Sequence, residues 1–501
     1  MKLVLATFLV VMATPACAEW QLAQSKHFAV YSEGPPDKAR AVAARLERFD
    51  KAVRVALKLP DPETGPNARV TIFVTPSIDD VRRIMGLKGT PDFYQSQSPA
   101  GAFGFFPQKN ENDQSRLTPT PLMVLQHNYT HQILYSTWGD TVMPIWLSEG
   151  FAEFFATTRS SPDGSMTVGA LPEYRWDGVD ESNMFSSDRL IADSPDYADH
   201  RQAQTYFGRS WLLIDYMVFN PERAKLLAAY IAALKSGKPA GEAGRMLDPG
   251  LGLDIKMNTY GTRATWRSAT LSPDQLMTGD ITTCALTAGE AAVMPARMRS
   301  RAAGATAAQD VLVQARALAA PFPNDAGAQN ELAQAEYDAG NFALSEAASE
   351  RALAADKGSV EAMIHLGQAL TALAAKAGNT DPAVWTTARR WFLAANKADP
   401  LYFYPVQLYY SSFRTANQSP APAARKALLY AYTLNITNVT IRWEAARLLL
   451  EDGATESARV ALFPIAFGES GGTRANAARK VLAALDARDP AAALAVLGTS
   501  K

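Results

Sequence analysis

The chain is short of cysteine and of net charge, and each shortage removes a class of function. Only Cys17 and Cys284 occur in 501 residues. Cys17 lies in a leading segment expected to be removed, so the mature chain has no second cysteine with which to close a disulfide. Cys284 is expected to sit as a small apolar residue, buried or partly so, rather than as a reactive thiol. Lys plus Arg number 49 against 50 for Asp plus Glu, a formal charge of -1. That balance carries no overall footprint for nucleic acid or for an anionic membrane surface. No later stretch holds the ~18 uninterrupted apolar residues of a membrane-spanning helix, so no transmembrane segment is expected.

What is present is ample core material, with 48% hydrophobic and 20% charged residues. At ~150 residues per domain the length suits about three domains. Residues 1–18 have the form of a signal peptide: Lys2, the apolar run Leu3–Met12, Pro15, then Ala16-Cys17-Ala18 before Glu19. Thr14 stands where a lipoprotein signal wants a Leu-like residue, which argues against lipid on Cys17. The expected destination is periplasmic or extracellular.

His27–Ser32 alternates as a strand does, and Arg69–Val74 is rich in β-branched residues. Gly101–Phe106 reads as a short strand closed by Pro107, with the look of an edge along which an extended peptide adds to the sheet. Between the first two strands, Ala39, Val42, Ala43, Leu46, Phe49, Val53 and Leu57 recur at helical spacing. The polar run Gln108–Arg116 reads as an exposed loop. A short helix is expected near Asp79–Met85, and others near Leu122–Ser136, Leu147–Thr157 and 202–234. Strands followed by helices predict an α+β domain over 19–270.

Residues 271–303 read as a linker or a worn helical repeat. From 304 to 498 the composition turns Ala-rich. Leu332-Ala333, Gly340, Phe342, Ala352 and Leu353 fit a 34-residue pattern of large and small helix-packing positions. Leu366-Gly367 follows 34 residues later, and Trp385, Ala388, Phe392, Ala395 and Pro400 complete a second copy. Here the chain resembles tetratricopeptide repeats, which implies an all-α solenoid and a protein partner on it. Trp391, Phe392 and Tyr402–Tyr404 are expected to be core of those repeats.

Two of the five histidines form His127-Asn-Tyr-Thr-His131. On a helix, positions four apart put both imidazoles on one face, as the first two ligands of a zinc ion require. Eighteen residues on, Glu149 opens a second helical segment, Pro144-Ile-Trp-Leu-Ser-Glu-Gly-Phe-Ala-Glu153-Phe-Phe. A carboxylate there can supply a third ligand and leave a fourth position open.

These residues resemble the gluzincin metallopeptidases, and more narrowly the peptidase-MA-like family, marked by H-E-x-x-H and then W-L-x-E-G-x-A-E-[FY]-F. The resemblance covers roughly residues 20–260 and implies a Zn2+ cofactor held by His127, His131 and Glu149, with a peptide or protein substrate in the cleft. One position departs. Where the family has its general-base glutamate, this chain has Asn128, and an amide cannot take a proton from water near neutral pH. Glu153, one turn past Glu149, is a substitute base, support for a histidine ligand, or a solvated surface residue. Tyr206, in Tyr-Phe-Gly-Arg-Ser210, is similar to the Tyr-x-Lys-Gly segment of gluzincin aminopeptidases, whose tyrosine donates to the oxyanion. Ordinary packing is the alternative, and Arg209 beside it is expected to be solvated.

Three functions follow from this reading. One is an exported zinc-binding, metallopeptidase-like protein whose hydrolysis is impaired at Asn128, with repeats for protein interaction. The second is an active zinc peptidase using another base such as Glu153. The third is a metal-free envelope scaffold.

Overall fold

A computed structural model describes residues 19–499, apart from 87–93, 96–100, 110–117, 177–178, 180–184, 193–194, 198, 264, 304–306 and 469–471. The segment read as a signal peptide, and most of the loop expected at Gln108–Arg116, lie outside the described residues.

The first part is built on a six-stranded sheet in the order β4-β5-β3-β2-β1-β9. Its strands are β1 (Trp20–Gln24), β2 (Phe28–Glu33), β3 (Val70–Thr75), β4 (Tyr94–Gln95), β5 (Phe103–Pro107) and, far along the chain, β9 (Thr282–Ala285). The pairs β2–β3 and β3–β5 run parallel and the remainder antiparallel. A second sheet joins β6 (Arg159–Ser160), β7 (Met166–Val168) and β8 (Ala269–Leu271).

Side chains alternate across the large sheet, as the strand period of two demands. Phe28, Val30, Ile72, Val74 and Phe106 point into the main core, under α1 (Pro36–Leu57) and α3 (Pro121–Thr137). Tyr31, Phe73, Phe103 and Phe105 point the other way, into a smaller core with Val81 of α2 (Ile78–Met85). α1 buries the apolar face read from its sequence, with Leu57 half-buried at its end. It starts on Pro36 and stops at Lys58, whose φ of 54° puts it in the left-handed region.

The strand at Gly101–Phe106 differs from expectation. β5 is buried along its whole length, and β4 pairs with its outer side at Phe103 and Gly104. It is therefore not the sheet edge among the described residues.

α4 (Ile145–Ala156) is buried from Trp146 onward, because it runs between α3 and α6 (His200–Val218). Gly150 makes that close crossing possible. A Cβ there would lie 2.7 Å from the backbone oxygen of Ser210, which cannot swing aside as a side chain can. Short α5 (Ser187–Ala192) packs on α6. α7 (Pro221–Lys235), α8 (Ala240–Gly244) and α9 (Leu253–Gly261) complete the domain.

The stretch 271–303 is more than a linker or worn repeat. It holds β9, which pairs with β1, and α10 (Ala288–Ala303), whose Met294 and Met298 cover the second face of the sheet. α2 covers that face only over β3 and β5, and the return of the chain covers the apolar residues of β1 and β2 beside it. Cys284 on β9 is exposed rather than buried. Its thiol is pushed up by the burial it does have and by Glu290, so it is no activated nucleophile.

From α10 the chain continues as helices stacked on their neighbours: α11 (Ala308–Ala319), α12 (Ala326–Asp338), α13 (Phe342–Ala355), α14 (Val360–Lys376), α15 (Pro382–Ala398), α16 (Phe403–Thr415), α17 (Pro422–Leu434), α18 (Val439–Glu451), α19 (Thr455–Phe467), α20 (Gly472–Asp486) and α21 (Pro490–Thr499). The whole is a mixed α+β fold ending in a long helical run. Gly367 on α14 meets the Phe392 ring of α15, where a Cβ would come within 2.6 Å, so the small-against-large pattern marks a helix crossing. Phe392, Tyr402 and Phe403 are buried, and Trp391 and Tyr404 half-buried.

The helical run also grips the first domain. The Asp399 carboxylate accepts from the backbone N–H and side chain of Asn67 at 2.8 and 2.9 Å. Buried Arg442 donates to the Gly139 carbonyl at 2.6 Å, and the Tyr432 hydroxyl donates to Asp140 at 2.8 Å.

Two outcomes follow. Gly150→Ala should lower stability by about 1–3 kcal/mol through overpacking, read as a fall in melting temperature. Asp215, fully buried on α6, is pushed up to about 7 by burial against the pull of Arg263, Arg267 and Arg223. The folded protein then holds a proton that the unfolded chain releases near 3.8, so stability falls as pH rises from there through about 7. Asp215→Asn should remove a decline on the order of 2–4 kcal/mol, seen as a flatter melting temperature between pH 5 and pH 8.

Candidate metal centre

α3 begins cleanly: Pro121 takes the first helical position and the Thr120 hydroxyl accepts from the Met123 N–H at 3.2 Å. Two turns in, His127 and His131 stand on one face with their Nε2 atoms 3.2 Å apart. α4 carries Glu149 to the same point. Its Oε2 lies 3.4 Å from His127 Nε2, and its Oε1 lies 3.6 Å from His131 Nε2. Ligand atoms about 2.0–2.1 Å from a tetrahedral zinc ion are about 3.3 Å from one another. The separation of the two Nε2 atoms and the nearest approach of a Glu149 oxygen to each ring bracket that value, with a different oxygen facing each ring. One atom from each residue falls within 4.8 Å of the other two, so the three side chains are grouped as ligands of one ion would be.

Electrostatics agree with the geometry. Burial alone would raise the Glu149 pKa, but the facing His131 and His127 hold the carboxyl well below the usual carboxylate range. Glu149 Oε2 is buried without a hydrogen bond, which suits a ligand atom awaiting a cation. The side chains of His127, His131 and Glu149 keep 19%, 17% and 12% exposure, so the centre opens to solvent.

Behind the centre lies Glu153, with no exposed surface. Its Oε1 faces His127 Nδ1 at 3.4 Å. The same oxygen accepts from Arg175 at 2.9 and 2.7 Å, and Oε2 accepts from the Tyr174 hydroxyl at 2.7 Å. Tyr174 and Arg175 belong to a single 3-10 turn, Glu173–Arg175. Arg175 also donates to Gln204 of α6 and lies over the Phe207 ring. Burial opposes the charge on Arg175, yet Glu153 and Tyr174 hold its pKa above the usual value. Burial, with Glu153 alongside, pushes the Tyr174 hydroxyl up.

This placement decides among the three expectations for Glu153, and surface solvation is excluded by its complete burial. Both oxygens are occupied and neither reaches solvent, so it orients His127 and is not poised to take a proton. With a proton on His127 Nδ1 facing that carboxylate, Nε2 turns its lone pair to the centre. Tyr174, Arg175 and Gln204 were not visible as site residues in sequence, because no motif marks the turn that carries two of them.

Tyr206 is not part of the centre. Its hydroxyl donates to the Leu190 carbonyl at 3.0 Å, its ring packs edge-on to Phe185, and none of it is exposed. The local likeness to an oxyanion-binding segment fails because this face of α6 turns into the core against α5. Arg209, expected to be solvated, is 1% exposed, and burial lowers its pKa against the pull of Asp254. Asn128 lies half-buried on α3 beside His127.

A second group, His27, Asp50 and Asp61, is close enough to hold an ion. Its carboxylates are already matched: Lys26 meets Asp61 at 2.6 Å, and Arg54 meets Asp50 at 2.7 Å. His27 Nδ1 pairs with Glu47 at 2.9 Å. The group is a closed network behind α3, joined to it by the Tyr129 hydroxyl, which donates to Asp50 at 2.9 Å.

Residues 122–240 match a family model described as a protein of unknown function (DUF1570). The match takes in α3, α4 and α6, the helices of the metal centre, and attaches no chemistry to them. No curated protein matches the chain. Among solved structures, one from the functional characterization of Pseudomonas aeruginosa pilF is similar at 17% identity and a TM-score of 0.33. It covers 42% of this chain and 88% of that one. That likeness is too low to support an assignment, and the repeats rest on their own helix pairs.

Tyr206→Phe should cost about 1 kcal/mol of stability, the worth of one buried hydrogen bond, and leave metal affinity unchanged. Denaturant unfolding beside a zinc titration checks both.

Proposed function

We propose that the chain is a zinc-binding, metallopeptidase-like protein of the gluzincin type whose hydrolytic step is lost or strongly reduced. The observation that carries this is the convergence of the donor groups: the His127 and His131 Nε2 atoms lie 3.2 Å apart, with Glu149 Oε2 3.4 Å from the first and Glu149 Oε1 3.6 Å from the second. When bound there, zinc supplies Lewis-acid polarisation of a carbonyl. The protein's own residues do the rest of what the site can do. His127 and His131 present their Nε2 atoms, Glu153 faces the ring of His127 from behind, and Glu149 adds the charge that favours a cation.

The missing part is a proton acceptor. Asn128 holds the position of the family's general base and has no usable basicity. Glu153 is committed to Arg175 and Tyr174. The cleft therefore retains a peptide or protein chain rather than cleaving it, and the helical repeats offer a surface to a protein partner. Residues 1–18, read as a signal peptide, place this work in the periplasm or outside the cell.

The test is zinc content by elemental mass spectrometry, beside a His127→Ala/His131→Ala control. Near one zinc per chain, lost in the control, is the expected result. No zinc above the control after reloading overturns the proposal in favour of a metal-free scaffold. Asn128→Glu should then raise chelator-sensitive peptide hydrolysis by about 10²–10⁴-fold. Equal hydrolysis by both forms would show that the wild-type site already has its base.

A further inference from the structure

About 18 Å along α6 from Gln204, by the rise of 1.5 Å per residue, the helix ends beneath an unrelated feature. An open pocket of about 640 Å³ is lined by Tyr216, Lys256, Thr259, Tyr260, Arg263 and Arg267, among others. Arg223 flanks it, with its guanidinium 3.8 Å from the Tyr216 ring centre.

The three arginines are held in place, though not by acids. Arg223 Nε donates to the Tyr216 carbonyl at 2.7 Å, Arg263 Nε to the Tyr260 carbonyl at 3.1 Å, and Arg267 to the Phe219 carbonyl at 2.9 Å. Arg263 also lies against Tyr260 and Trp266. One carboxyl serves all three: Asp215, 3.6 Å from Arg263 and receiving the Tyr260 hydroxyl at 2.7 Å. Burial pushes the Asp215 carboxyl up to about 7, so near neutrality this one group offsets only part of the charge of three arginines. Lys256 is matched by Asp248, and Asp254 on α9 accepts from the Ser187 N–H. Backbone carbonyls and aromatic faces thus order a group of cations that, among the described residues, share the single partly charged carboxyl of Asp215.

The rim adds the second half of the argument. Leu251 and Ile255 are 82% and 73% exposed. Ile255 lines the pocket, and Lys256 Nζ donates to the Leu251 carbonyl at 3.0 Å. Leu251 stands with φ at 59°, a left-handed backbone seldom adopted by an apolar side chain. Two projecting apolar side chains beside a cationic, aromatic-walled pocket match the two layers of a lipid interface.

We propose that this pocket takes the phosphate of an anionic phospholipid headgroup while Leu251 and Ile255 enter the acyl boundary, docking the protein on a membrane surface. The guanidiniums bind the phosphate oxygens by charge-assisted hydrogen bonds. The proposal does not depend on the metal centre. The near-neutral charge of the whole chain hides such a patch, because it sums over surfaces that face away from it.

The experiment is co-flotation of the full mature chain with vesicles of phosphatidylcholine alone or mixed with phosphatidylglycerol, alongside a titration with soluble glycerol phosphate. Binding to the anionic vesicles only, weakening as salt rises, is expected. Arg263→Gln/Arg267→Gln should weaken vesicle binding at least tenfold. Leu251→Ser/Ile255→Ser changes only exposed side chains, so it keeps the fold; it should weaken vesicle binding similarly and leave glycerol phosphate binding intact. No binding to anionic vesicles, or binding that ignores the Leu251 and Ile255 changes, overturns the proposal. Glycerol phosphate binding without vesicle binding overturns it in favour of a soluble phosphate ligand.

Discussion

The buried carboxylate of Glu153 sets the terms for everything around it. A charge with no access to water is tolerated only when the protein itself supplies donors, and here they come from three directions. Arg175 brings two hydrogen bonds and the opposite charge, Tyr174 a third, and His127 faces the same oxygen. Removing any one leaves the others to carry an uncompensated charge, so α4, the Glu173–Arg175 turn and α3 are locked together at one point. Arg175 extends the lock to Gln204, so α6 is included. The centre is therefore assembled from behind, by the demand of one anion, and its open face costs nothing further to hold.

α3 is braced on its opposite side as well. Tyr129, between the two histidines in sequence, points away from them and donates to Asp50. Asp50 is held by Arg54, and Glu47 takes both the backbone N–H and the ring of His27. One helix thus carries a cation-binding face forward and a polar anchor backward, as its period of 3.6 residues requires of neighbouring positions. At its C-terminal end, Gly139 and Asp140 meet Arg442 and Tyr432 of the helical run. The repeats are consequently fixed to the segment that follows α3, rather than hung on a free linker.

How much of this could be read beforehand depended on whether a feature is local. The clustering of His127, His131 and Glu149 was legible because a spacing of four puts two histidines on one helix face and the second helical segment follows closely. The small residue at Gly150 was legible as part of the same block, but its cause, the Ser210 backbone across the helix crossing, was not. Tyr206 misled because a tyrosine on an amphipathic helix looks alike whether it faces a cleft or a core. α5 decided the matter by placing the Leu190 carbonyl against it. Tyr174 and Arg175 were missed since a three-residue turn has no periodicity to betray it. β9 and α10 were missed because pairing across more than 250 residues is set by which sheet face lacks cover, a property of the assembled core alone.

In the proposed reading, Asn128 separates two properties that a peptidase ordinarily holds together. Holding a cation depends on donor spacing, and that is secured by Glu153, Tyr174 and Arg175, none of which touches the position of the base. Accepting a proton depends on the pKa of one side chain on the exposed helix face. A change at 128 can therefore remove the chemistry while every restraint on the ligand atoms stays in force. An amide at that place still offers a hydrogen-bond donor and an acceptor to whatever lies in the cleft. In the proposed reading the site passes from turnover to retention, with the binding architecture unchanged.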